Sequence, residues 1–413
     1  MAKEKLVLIG NGMAGIRTLE ELLKLAPERY EITVFGAEPH GNYNRVLLSP
    51  VLAGEMEVAD IVLNPPAWYA EHGIVLHAGC QVTRIDRQTR TVHTDCGKVA
   101  AYDRLLIATG SSPFRPPVPG NDLPGVIGYR DIADTEAMIA ATQHGSHAVV
   151  IGGGVLGLEA ANGLARRGMQ VSVVHLGQWI MERQLDRQAA EMLQATLQGK
   201  GMRFLLGRQT AAIRPGADGR VAAVAFAGGE EIPADLVVLA AGVRPNIALA
   251  QAAGLECQRA IVVDDTLTTS DLSISAVGEC VSHRGTVYGL VAPLFEQAQV
   301  CAAHLAGTSS ATYRGSVTST KLKVTGIDVF SAGDFTEGPD DETIVLVDRP
   351  ANQYKKLIVR DGRLRGAVLY GDAAEGGWYF GLLRSAAEIG PLRDHLLFGQ
   401  AHAESQLATG RQG

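Results

Sequence analysis

At 413 residues, 46% of them apolar and 20% charged, with no low-complexity tract, the chain is too long for one ordinary domain and too apolar for disorder. It is expected to fold as two or three modules up to its last ten residues. The net charge of −7, from 37 basic against 44 acidic residues with no long basic run, excludes a nucleic-acid footprint. MAKEKLVLIGNGMAG has no signal h-region, and no apolar run approaches the ~18 residues of a membrane span, so a soluble, cytoplasmic protein is expected.

LVLIG (6–10) is a short apolar run of the kind buried on both faces of a parallel sheet. Gly10-x-Gly12-x-x-Gly15 turns the chain into IRTLEELLKLA, whose apolar spacing is helical, so a dinucleotide pyrophosphate is expected on that helix N-terminus. EITVF (31–35) reads as the second strand, and Glu38, 23 residues past Gly15, stands where a carboxylate binds a ribose diol.

YDRLLIATGSSPFRPPVPG (102–120) is a strand ending in Thr109-Gly110-Ser111, followed by prolines that cannot continue a sheet. It reads as a crossing between domains. AVVIGGGVLGLEAANGLARRGMQVSVVHL then repeats the nucleotide pattern with Gly152, Gly154 and Gly157, but His175 replaces the expected acid. An acid there favours NADH and clustered arginines favour NADPH; neither signature is present. Glu159, in the first turn of the helix, is a candidate for the nicotinamide contact, or a carboxylate favoured by the helix dipole.

ADLVVLAAGVRPNIALA (234–250), with Gly242 and Pro245, gives a second crossing, so the two crossings bracket residues 113–243. TLTTSDLSISAVGECVSH places Gly278 and Glu279 after an apolar strand, and VAPLFEQAQVCAAHLAG reads as a helix starting near Pro293 and carrying Glu296. Residues 312–404 show strand-like STKLKV, DVFSAG, TIVLVD and KKLIVRDGRLRGAVLYG, with a hairpin turn at Asp361-Gly362 and a helical stretch near GLLRSAAEIGPLRDHLL. Arg349, Lys355, Lys356, Arg360, Arg363 and Arg365 concentrate positive charge there; outward-facing hairpin charge is preferred to a docking face for an acidic carrier.

Two nucleotide patterns, one inserted in the other, with A-T-G-S-x-P and A-V-G-E-C, resemble the two-dinucleotide-binding-domain flavoprotein reductases of the glutathione-reductase superfamily. The resemblance implies an α/β fold: an FAD domain from 1–112 and 244–310, an inserted NAD(P)H domain from 113–243, both Rossmann-like, and a smaller α+β domain from 311–413. It implies that Gly10, Gly12, Gly15 and Glu38 hold the FAD adenosine side, with Thr109, Gly110 and Glu296 in the cofactor set. Gly278 and Glu279 approach its ribityl and pyrophosphate, Glu279 standing where the family has Asp. Gly152, Gly154, Gly157, His175 and Gly242 fall to NADH or NADPH, whose hydride passes to flavin N5.

In NYNRVLLSPVLAGE (42–55), thiol-dependent members place a redox cysteine; this chain has Ser49 and Pro50, so disulfide or peroxide chemistry lacks its thiolate. The segment is similar to the Y-x-R-x-x-L-S stretch of single-electron reductases, which makes Arg45 and Ser49 flavin- or phosphate-contact candidates. With YRGSVTSTKLKVTGIDVFSAGDF, the chain is more narrowly similar to the flavin-binding amino-terminal part of NAD(P)H-dependent assimilatory nitrite reductase large subunits and to electron-transfer subunits of assimilatory nitrate reductase. Without the iron–sulfur segment and sirohaem module of those subunits, the chain is expected to donate electrons to a separate redox protein: an iron–sulfur, sirohaem or molybdenum reductase component, or a small carrier. The C-terminal module then covers the flavin and supports a homodimer, with Lys321 and Lys323 either facing flavin or solvated.

Competing readings are a reductase of rubredoxin, an oxygenase ferredoxin or a flavodiiron protein, an NAD(H)/FAD redox sensor, and a thiol-based NADH oxidase using Cys80 or Cys96. The five cysteines, Cys80, Cys96, Cys257, Cys280 and Cys301, form no C-x-x-C and are expected reduced, with no metal site. His40 and His283 flank presumed cofactor segments and are expected to face solvent.

Overall fold

The apolar run at the start of the chain forms the central strand Glu4–Ile9, with Leu6, Val7 and Leu8 wholly buried. The computed structural model describes residues 3–410 except 309 and 325, together with all side chains in that range except those of 322–324 and 407–410. The chain divides into two compact units: one comprises residues up to Val51, Met56–Pro113 and Val243–Ser316, the other Leu52–Glu55, Phe114–Gly242 and residues from Val317 onward.

The first unit is built on a five-stranded parallel sheet, ordered Ile274–Ala276, Arg104–Ile107, Glu4–Ile9, Tyr30–Gly36, Val75–Ala78. Its central strand places Leu6 beside Ile32 on one side and Arg104 on the other, so both edges are bonded and both faces are covered. Helices Met13–Leu25 and Val291–Ala306 pack against each other, the first through Ile16, Leu19 and Leu22 at helical spacing. A small antiparallel sheet, Val82–Asp86, Thr91–Thr94 and Val99–Ala101, escaped the sequence reading. The proline-rich crossing does not continue the parallel sheet, but its first residues form a separate short ribbon. Ser111–Pro113 pairs antiparallel with Val243–Pro245, the second crossing, because each proline sits at the end of a two-stranded ribbon where no ladder donor is needed.

The second unit repeats the plan, with parallel strands ordered Val126–Gly128, Leu236–Leu239, His147–Ile151, Gln170–His175, Arg203–Leu206. Helix Val155–Arg166 follows the central strand. The same unit carries an antiparallel sheet ordered Ser319–Val324, Ile327–Gly333, Arg363–Tyr370, Gln353–Arg360, Glu342–Asp348, with helix Gly376–Ser385 packed on it. Asp361 and Gly362 both take positive φ, 50° and 66°, the two-residue hairpin turn expected there. A further helix, Gln400–Gly410, reaches into the stretch expected to be unfolded. Among the described residues no helix is long and apolar enough to cross a membrane.

The basic cluster is outward-facing hairpin charge only in part: Arg349 and Arg363 are exposed, but the lysines are not. Lys355 and Lys356 are buried, Lys355 against Asp372 at 3.2 Å and Lys356 against Glu337 at 2.9 Å and Asp186 at 3.5 Å. Arg360, Arg363 and Arg365 pair with Asp341, Glu388 and Asp334, so most of this charge is neutralised within the unit. Buried ammonium groups persist only with such partners.

Candidate functional site

The two glycine loops share one geometry. Gly10 has φ +106°, and a Cβ there would lie 2.2 Å from the Ala108 carbonyl oxygen; Gly152 has φ +128°, with the Ala240 oxygen at 2.2 Å. Each loop folds tightly over the end of the neighbouring strand, which only glycine allows. The third glycines let helix meet loop, since a Cβ on Gly15 would stand 2.9 Å from the Gly10 oxygen and one on Gly157 2.0 Å from the Gly152 oxygen. The middle glycines differ: a Cβ on Gly12 or Gly154 would meet nothing within 4 Å. Both are helix N-caps with no side-chain cap and no acid in the first turn, so no side chain of the protein caps the helix-end N–H groups. A pyrophosphate fits such a cradle, two oxygens accepting from backbone donors at the positive end of the helix.

In the first unit, Asn11 braces its loop: Tyr69 donates to Asn11 Oδ1 at 2.7 Å, and Asn11 Nδ2 donates to the His40 carbonyl at 3.1 Å. Glu38, half-buried past the end of Tyr30–Gly36, accepts from the Tyr43 hydroxyl at 2.6 Å and from the Arg45 guanidinium, which lies over the Tyr43 ring at 5.1 Å. Tyr43 and Arg45 together fix the orientation of the Glu38 carboxylate at the strand end. Ser49 is half-buried in helix Leu48–Leu52. Thr109 and Asn246 lock the two crossings together, Thr109 Oγ1 donating to the Asn246 carbonyl at 2.8 Å and Asn246 Nδ2 to the Thr109 carbonyl at 2.9 Å; Gly110 follows at φ +65°.

Gly278, at φ +94°, donates its N–H to the buried Gln297 Oε1 at 2.9 Å, and Glu279 accepts from Ser111 Oγ at 2.8 Å. Glu296 accepts from Ser316 Oγ. Gln297 is wholly buried, with Nε2 in no hydrogen bond among the described residues. Sequence reading missed Asn11, Ser111, Asn246 and Gln297. Its signal was a polar residue inside each motif, Asn11 within the glycine loop and Gln297 next to Glu296.

Two expectations are corrected here. His283 does not face solvent: it is 1% exposed and meets Asp265 at 2.8 Å, because its strand is interior and the carboxylate lies just past the paired strand Ile261–Val263. Cys80 and Cys96 are not reduced thiols but a disulfide, brought to a Cα separation of 5.7 Å by the hairpin Thr91–Thr94 and Val99–Ala101 folding back on the loop after Val75–Ala78. Asp95 lies close enough to join both sulfurs as a metal-ligand set, but the sulfurs are bonded to each other. The remaining thiols are unreactive in kind: burial pushes Cys280 up, Cys301 up to about 12, and Cys257 up with help from Glu256.

In the second unit Glu159 is half-buried on helix Val155–Arg166 and Lys321 is exposed; Gly242, exposed at φ +104°, ends the segment after Leu236–Leu239. Lys323 lies outside the described side chains. His175 accepts the Gly153 N–H on Nδ1 at 3.1 Å and meets Glu182 through Nε2 at 2.6 Å.

Residues 4–304 match the family model for pyridine nucleotide-disulphide oxidoreductases. The chain belongs to that family. Membership gives the reaction class, NAD(P)H-dependent FAD oxidoreduction, and the two glycine cradles fit the two dinucleotides the family implies. Residues 319–387 match the rubredoxin NAD+ reductase C-terminal domain. The chain is 49% identical over 389 residues to a nitrite reductase [NAD(P)H] of Bacillus subtilis, covering 94% of this chain and 48% of that protein. It is also 49% identical over 375 residues to an assimilatory nitrate reductase electron transfer subunit of the same organism, covering 91% and 48%. It thus spans about half the length of these relatives. A solved covalent putidaredoxin reductase–putidaredoxin complex matches with TM-score 0.88 and 25% identity across 100% of both chains.

Proposed function

We propose that this chain takes reducing equivalents from NAD(P)H and delivers them one at a time to a separate redox protein of assimilatory nitrate or nitrite reduction. The observation that carries this reading is the 49% identity to a nitrite reductase and to a nitrate reductase electron transfer subunit. FAD supplies the conversion of a two-electron donor into one-electron steps. Residues 1–112 and 244–310 hold it: the Gly10–Gly15 cradle binds pyrophosphate, Glu38 accepts the ribose hydroxyls, and Gly278 and Glu279 meet its polar middle, with Gln297 holding the Gly278 N–H from behind. Arg45, Ser49, Thr109, Gly110 and Glu296 shape that cavity. Residues 113–243 hold NAD(P)H on Gly152–Gly157, with His175 and Gly242 beside it and Glu159 in the second turn of the helix that follows. Residues 311–413 serve the acceptor side, Lys321 among them. No thiol is assigned a redox role, because the free cysteines are held protonated by burial.

A rubredoxin- or ferredoxin-type carrier is the second reading of the acceptor, favoured by the match of residues 319–387. Anaerobic stopped-flow reduction of the flavin by NADH and NADPH, then mixing with candidate acceptors, tests both. Fast flavin bleaching, then electron transfer to a nitrate or nitrite reductase component, is the expected result. Transfer to rubredoxin or ferredoxin alone would select the second reading, and flavin left oxidised by both dinucleotides would refute the reductase.

A further inference from the structure

At the end of strand Gln170–His175, where a carboxylate would receive the adenosine ribose, the chain has an imidazole. The Gly153 backbone N–H can only donate, so its 3.1 Å contact makes His175 Nδ1 the acceptor. The proton then sits on Nε2, which donates to Glu182 Oε2 at 2.6 Å. The ring is wedged between two glycines: a Cβ on Gly153 would lie 2.9 Å from its Cγ, and one on Gly177 2.8 Å from its Nε2. The segment bearing Glu182 is tied to the same loop, since the Met181 N–H donates to the Gly153 carbonyl at 2.9 Å. Met181 holds φ +54° to make that turn, and Gln184 and Leu185 close it by donating to the Met181 carbonyl at 2.7 and 2.8 Å. The carboxylate missing from the strand end is therefore supplied seven residues later, fixed beside the open Gly154 cradle by two independent tethers.

We propose that Glu182, oriented by His175, is the residue that makes this site select NADH over NADPH. One carboxylate oxygen accepts the imidazole Nε2–H hydrogen bond, and the group retains lone pairs for the 2′- and 3′-hydroxyls of an unphosphorylated ribose. A 2′-phosphate brings about two negative charges against the same carboxylate, a repulsive element that rejects the wrong cofactor. Arg183, exposed next in the chain, carries the charge that would draw a 2′-phosphate, and the Glu182 carboxylate beside it opposes that attraction. The inference rests on the reading of Gly152–Gly157 as the nicotinamide dinucleotide site.

Calorimetric titration of the full-length protein with ADP-ribose and with 2′-phospho-ADP-ribose tests it without any flavin turnover. The wild type is expected to bind ADP-ribose about tenfold or more tightly, and Glu182→Gln to cut that ratio by roughly tenfold. Glu182→Arg should invert the preference. His175→Ala should narrow the ratio by freeing the carboxylate, whereas mere loosening of the fold would lower both affinities together. Equal binding by the wild type, tighter binding of the 2′-phosphate, or an unchanged ratio in Glu182→Gln overturns the proposal while leaving the loop a nucleotide site. Failure of the folded wild type to bind either compound overturns the dinucleotide reading as well.

Discussion

Exchanging single glycines of the first loop for alanine separates architecture from ligand binding. Gly12 sits at φ −88°, ψ 178°, a conformation any residue adopts, and its added Cβ would touch nothing within 4 Å. Gly12→Ala should cost the apoprotein no more than about 1 kcal/mol, the difference between glycine and alanine at an N-cap. The methyl then occupies the space open to a pyrophosphate. An overlap of that kind costs ~1–3 kcal/mol, which weakens FAD binding about 10- to 100-fold.

Gly10→Ala does the reverse. Its φ of +106° costs ~1–3 kcal/mol for a residue with a Cβ, and overlap with the Ala108 carbonyl, 2.2 Å away just past the end of strand Arg104–Ile107, adds ~1–3 kcal/mol. Some 2–6 kcal/mol out of a typical total of roughly 5–15 lowers the apoprotein's stability before any ligand is considered. Urea denaturation of both apoproteins, followed by titration with FAD monitored by flavin fluorescence, reads the two effects apart. A Gly12→Ala protein that binds FAD like the wild type would refute the cradle. A Gly10→Ala apoprotein as stable as the wild type would refute the close packing against Ala108.

Asp186 caps helix Arg187–Gly199 through the Ala189 N–H at 3.2 Å and also receives the Tyr354 hydroxyl at 2.5 Å and the buried Lys356. Asp186→Ala should therefore destabilise by about 2–4 kcal/mol in urea melts, a lost cap plus stranded polar partners. Asp265 is held down to about 2 by hydrogen bonds from Arg284 and His283. A carboxyl whose folded pKa is depressed adds stability above its unfolded value, near 4, and loses it as the pH falls toward 2. Asp265→Asn should accordingly lower the urea midpoint at pH 7 and have little effect near pH 2; a constant difference across that range would refute the assignment. The Cys80–Cys96 link closes a separation of 16 residues, so Cys96→Ser should cost about 3 kcal/mol, and adding dithiothreitol to the wild type should reproduce that loss. Steady-state NAD(P)H oxidation should be unaffected, since this pair lies in none of the assigned cofactor contacts.

The amino-acid sequence by itself determined both nucleotide loops, their flanking strands and helices, and the hairpin at Asp361-Gly362. Those features are local: a positive φ at Gly10 or Gly152, and an apolar run such as Leu6–Ile9, are set by residues within a turn or two of each other. What a polar side chain touches is decided by packing across long separations, and only the tertiary structure settled it. Lys356 finds Asp186, and Ser111–Pro113 finds Val243–Pro245, more than a hundred residues away in each case. The same holds over shorter spans. Cys80 meets Cys96 because a hairpin folds back, His283 is buried because Asp265 waits beside it, and Glu182 replaces a missing strand-end acid because Met181 turns against Gly153. Burying a charge or joining two sulfurs depends on partner geometry, which periodicity and motif spacing do not carry.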